Sequence, residues 1–142
     1  MDELNERYLA YCDFTLEKRT DVIKQCYEKI IAYYKENYNE EIAKEAFLRM
    51  FCAFSYVVNP PTFEQYNLYK SVVHTNLTHE DFVVVAKEKK ELLRDCYFHE
   101  FIYAKDNKVI NEVIVLCVCL FTVKGYISNI EKRYIESHFM KH

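Results

Sequence analysis

Glycine is nearly missing from this chain: Gly125 is the only one in 142 residues, and the two prolines are adjacent, Pro60 and Pro61. A β-sandwich or barrel needs many turns, and turns draw on glycine and proline. Their scarcity argues against an all-β fold and for long helices joined by short connections. It also excludes a glycine-rich phosphate loop. A basic stripe is lacking too. The 19 Lys and Arg are interleaved with 22 Asp and Glu, for a net charge of −3, so no nucleic-acid partner is expected. No apolar run is long. Val113–Phe121, extended through Thr122 and Val123, is shorter than the roughly 20 residues a membrane helix takes, so no membrane insertion is expected. The opening MDELNERYLAYCDF is acidic and amphipathic, unlike a secretory signal, and a cytoplasmic location is expected.

What is present is apolar and aromatic material: 51% hydrophobic residues, with 13 tyrosines and 10 phenylalanines. That is enough for one core and too much for a disordered chain. The apolar positions recur at helical spacing. The pattern predicts seven helices in a single all-α domain over 1–142. N-terminal helices occupy 1–38, one over about 2–12 and one over 15–37 with the stripe Val22, Ile23, Cys26, Tyr27, Ile30, Ile31 and Tyr34. A first hairpin half spans 39–76. Its leading helix is capped by Asn39, carries Ala43, Ala46, Phe47, Met50, Phe51 and Phe54, and stops before Asn59-Pro60-Pro61. Its second helix opens with a capping box, Thr62-x-x-Gln65. Residues 78–142 hold a long helix from Thr78 to about Ala104 and a second hairpin half. The helix containing Val113–Val123 lacks a polar face, so it is expected at the centre of the bundle. Gly125 should end it as a left-handed C′ residue, with Tyr126 folded against Phe121 in a Schellman motif. Ser128-x-x-Glu131 then opens the last helix with another capping box.

Sliding the chain by 66 residues superposes the two halves. Phe47-Leu48, Met50 and Phe54 fall on Val113-Ile114, Leu116 and Leu120; Thr62 falls on Ser128 and Gln65 on Glu131. This pattern suggests an internal duplication.

VIVLCVCLFTVKGYISNIEKRYI, Val113 to Ile135, resembles the signature of TerB-like domains, known from the tellurite-resistance protein TerB and the N-terminal domain of the DjlA co-chaperone. The match lies in Gly125, Ile127, Ser128 and Glu131. AFLRMFCAFSYVVNPPTFEQYNLY resembles the family's other half, and Thr78-His79-Glu80-Asp81 its usual helix start. The resemblance covers roughly residues 40–140 and implies a fold of two helical hairpins. It also implies divalent cations held by loop carboxylates. Here, however, Lys124 stands at the family's Asp, Tyr126 at its usual acidic residue, and Val58-Asn59 at the first corner's Asp-Gly. A hard cation needs six or more oxygens, several of them anionic, so no metal is expected at these corners.

Catalytic chemistry is not legible. The six cysteines, at 12, 26, 52, 96, 117 and 119, fall mostly on apolar helix faces and read as reduced, buried thiols. Cys117 and Cys119 point to different faces of one helix. Cys96-x-x-His99 is one turn apart but lacks further zinc ligands, since His74 and His79 lie at the other end of that helix. Glu40-Glu41 and Glu80-Asp81 sit at helix N-termini, where the dipole explains them. No catalytic, cofactor-binding or metal-binding residue is therefore assigned, no cofactor is expected, and the chain is not read as an enzyme. Tyr33, Tyr38, Tyr66, Tyr69 and Tyr97 are too many to be all interior, and exposed tyrosines favour protein contacts. The expected function is a cytoplasmic protein-interaction module with a stress- or defence-related role, binding a protein partner and compatible with homo-oligomers. The alternatives are a TerB-type divalent-cation-binding domain and a small phage- or virus-encoded inhibitor.

Overall fold

The computed structural model describes residues 8–89 and 109–140. Six α-helices and no strand are found among them. A 3-10 turn, Leu9–Asp13, leads into α1 (Leu16–Asn37). Then come α2 (Glu40–Ser55), α3 (Phe63–Val73) and α4 (His79–Lys89), followed by α5 (Ile110–Phe121), a 3-10 turn Thr122–Lys124, α6 (Asn129–Ile135) and a π turn Glu136–Met140. The expected α-helix over 2–12 is corrected where it is described, because Leu9–Asp13 is 3-10. Thr15, extended in order to cap α1 through the Lys18 amide (3.1 Å), breaks any continuity between the two. The expected long helix is seen as α4 as far as Lys89; its continuation to Ala104, with Cys96, Tyr97 and His99, lies outside the described residues.

Helix α5 is the centre. Val113, Ile114 and every residue from Leu116 to Phe121 are buried, as a helix without a polar face must be. It packs against α1 and α2, and α1 and α2 pack on each other. Ile23, Cys26, Ile30 and Tyr34 face inward from α1, with Val22, Tyr27 and Ile31 at the margin. All six stripe residues of α2 are buried. Aromatic rings supply much of the contact area: Phe51 meets Tyr69 edge-on at 5.0 Å, and Phe82 lies against Tyr69 at 5.0 Å. Tyr66 and Tyr69 are thus core residues. Among the described residues of the expected tyrosine surface, Tyr38 is exposed and Tyr33 half-buried, Tyr126 is exposed as well, and Tyr97 lies outside the described residues.

The 66-residue offset holds at the corners. Helix α2 ends at Ser55 and α5 at Phe121; α3 begins at Phe63 and α6 at Asn129. Both capping boxes are complete, Thr62 with Gln65 and Ser128 with Glu131. The corners differ in how they turn. Gly125 adopts φ 92°, ψ 4°, and its N–H donates to the Thr122 carbonyl at 2.9 Å. It closes a 3-10 turn, and Tyr126 is exposed with Lys124 Nζ over its ring at 5.1 Å, instead of folding against Phe121 as a Schellman motif requires. The first corner turns without a left-handed residue. Pro61 is buried there, and its carbonyl accepts from His79 Nε2 at 3.1 Å.

Candidate functional site

Side chains from three parts of the chain converge on the C-terminal end of α5. A helix leaves its last four carbonyls without partners inside the helix. Here each has one. Val118 accepts from the Thr122 backbone N–H and from Thr122 Oγ1 (2.8 Å). Cys119 accepts from Arg19 Nη1 (2.9 Å), Leu120 from Gln65 Nε2 (3.0 Å) and Phe121 from Lys124 Nζ (2.6 Å). The donors come from α1, α3 and the turn itself, and two are cations at the negative end of the helix dipole.

Arg19 is the most buried of the donors that reach this end with a charged side chain, at 4% exposure. Besides Cys119 O, its guanidinium donates to Thr122 Oγ1 (2.6 Å) and to the Tyr11 carbonyl (2.8 Å), and it lies over the Phe14 ring at 5.6 Å. Among the described residues no carboxylate pairs with it. Burial, the main cause, holds its pKa below the ordinary value. Sequence reasoning missed Arg19. The available signal was its spacing, since Arg19, Ile23, Cys26, Ile30 and Tyr34 form one continuous inward stripe.

Lys124 and Glu131 form the second feature. The Lys124 ammonium is 2.5 Å from Glu131 Oε1 and 2.6 Å from Phe121 O. Glu131, 5% exposed, also accepts from the Ser128 amide at 2.9 Å. The oxygens at this corner thus already hold a cation, the lysine's own. Beside them a cleft of about 250 Å³ is lined by Thr62, Glu64, Gln65, Leu120, Phe121, Val123 and Lys124.

No group of three His, Cys, Asp or Glu among the described residues is placed to hold a metal ion. His74 caps the C-terminus of α3, and His79 packs against Phe63 and Tyr66. The thiols suit packing better than nucleophilic work. Burial pushes Cys26, Cys52 and Cys119 up to about 12, and Cys117 well above the usual thiol value.

Apolar side chains are exposed on the segments that meet here. Leu16 is 70% exposed and Leu9 63%, with Tyr126, Phe63, Ile130 and Val58 also outward. The Leu9–Asp13 turn lies against the Thr122–Lys124 turn. No helix among the described residues is long and apolar enough to cross a membrane. Comparison with protein-family models, with curated proteins and with solved structures finds no match.

Proposed function

We propose that this chain is a non-enzymatic protein-interaction module of TerB-like arrangement, acting in the cytoplasm in a stress- or defence-related role. Its working surface is the end of the bundle where α5 stops. The observation carrying this reading is a division of labour at that end. The donors Arg19, Gln65 and Lys124 are consumed in capping α5, while Leu9, Leu16, Phe63, Tyr126 and Ile130 face outward. Outward apolar groups at one end are typical of contact surfaces, where aromatic and aliphatic anchors supply most of the binding energy.

The cation-binding alternative is disfavoured by Lys124. Its ammonium neutralises Glu131 and occupies the Phe121 carbonyl, which leaves a divalent ion fewer anionic oxygens than it requires. The inhibitor alternative shares the same contact surface and differs in the identity of its target.

Affinity capture from the native lysate tests the reading. Wild-type chain is compared with a Tyr126→Asp/Ile130→Asp variant of matched thermal stability, each with chelator and with added calcium. The reading expects a partner that the wild type retains in chelator and the variant loses. A partner held equally by both, or held only with calcium, contradicts it.

A further inference from the structure

The α6 side of the contact surface carries unpaired charge of one sign. From Val123 to Arg133 the cations are Lys124, Lys132 and Arg133, and the one carboxylate is Glu131. That carboxylate is 5% exposed and bonded to Lys124, so the two charges cancel inside the corner. Arg133 is exposed and Lys132 half-buried, and neither enters an ion pair among the described residues, not even with Glu136 on the next turn. Apolar side chains stand beside them. Ile130 is exposed and, three residues from Arg133, shares the outer face of α6. Tyr126 is held at the same end, because the Lys124 ammonium that lies 5.1 Å from its ring is bonded to Glu131 of α6. On the α1 side, by contrast, the exposed charges Asp13, Glu17 and Lys18 are mixed in sign.

We propose that the α6 side docks an acidic protein segment, one with Asp or Glu beside an aliphatic or aromatic anchor. This rests on the reading of this end as a contact surface and names the chemistry of what it contacts. Unpaired cations around an apolar patch favour a partner of opposite sign, speed its approach and reject basic segments. The anchor covers Tyr126 and Ile130, while a neighbouring carboxylate reaches Arg133, whose guanidinium offers two parallel hydrogen bonds to it. A nucleic acid fits this face less well. Two cations release few counterions, and the net charge of −3 opposes a polyanion.

Random linear peptides displayed on phage, panned against the full chain and then measured as synthetic peptides by fluorescence anisotropy, test the assignment. The selected sequences should pair Asp or Glu with aliphatic or aromatic residues. Their binding to the wild type should weaken several-fold between about 50 and about 500 mM NaCl. Lys132→Glu/Arg133→Glu should weaken it at least about tenfold. Lys24→Glu/Lys87→Glu, which makes the same change in net charge at exposed positions of α1 and α4, should leave it within about twofold. Selection of basic or uncharged peptides, equal losses in the two charge variants, or capture of a random single-stranded RNA with no peptide selected would each overturn the proposal. A Tyr126→Ala/Ile130→Ala variant separates it from the reading beneath it. Peptides lost by that variant and kept by Lys132→Glu/Arg133→Glu would leave the surface standing and remove the acidic partner; peptides kept by both would remove both. The composition and salt dependence of wild-type binding decide the matter even where a variant folds poorly.

Discussion

Gly125 and His74 are the two described residues with left-handed backbone, at φ 92° and 59°, and opposite substitutions are expected to have opposite signs. A Cβ at Gly125 would meet nothing within 4 Å, so Gly125→Ala costs only the backbone term, about 1–2 kcal/mol. Gly125→Asn should cost less, because asparagine tolerates this region. His74 already bears that cost at the C-cap of α3, on an exposed side chain. His74→Gly should therefore stabilise by about 0.5–1 kcal/mol in urea unfolding, the net of relieved backbone strain and glycine's looser unfolded state. Arg19, with ordinary helical backbone, matters through its hydrogen bonds instead. Arg19→Met keeps the stem and strands the carbonyls of Tyr11 and Cys119, with an expected loss of about 2–4 kcal/mol. Gly125 was readable because a lone glycine after an apolar helix has few other uses. Arg19 was not, because its acceptors lie 8, 100 and 103 residues away.

At the scale of elements, the corners were the most legible part of the chain. Capping is local chemistry, and the boxes at Thr62 and Ser128 form with the partners the spacing demands. Thr62→Ala and Ser128→Ala should each cost about 1 kcal/mol. What the boxes do beyond their own helices was hidden: Gln65 also serves Leu120, and Glu131 also holds Lys124. Tyr66 and Tyr69 show the same limit, since a tyrosine on a short helix can face either way until the packing partners Phe51 and Phe82 are known. Between elements, Glu45 of α2 pairs with Arg49 and with Lys89 of α4. Burial raises its pKa, but the two cations outweigh that and lower it below 4.5. A depressed carboxylate contributes stability above its unfolded pKa and loses it as pH falls through the folded value. Glu45→Gln should therefore remove part of the stability loss seen below about pH 4.5, a modest part because the group is 39% exposed. Thermal melts from pH 7 to pH 3 of both proteins check the sign.

For the whole molecule, the all-α class and the central helix followed from composition and periodicity, because a helix apolar from Val113 to Phe121 has to be buried on all sides. The surface did not follow, because outward apolar residues such as Leu16 and Leu9 break the pattern without announcing a purpose. Lys124 does constrain function at this scale. With an ammonium already between Glu131 and the Phe121 carbonyl, the melting temperature of the wild type should be unmoved by millimolar calcium, and a rise of several degrees would restore the cation reading. The most direct test of the account is the capture experiment with the Tyr126→Asp/Ile130→Asp variant. The account predicts a partner bound by the wild type in chelator and lost by the equally stable variant. A partner retained by that variant would contradict it and move the working surface elsewhere on the bundle.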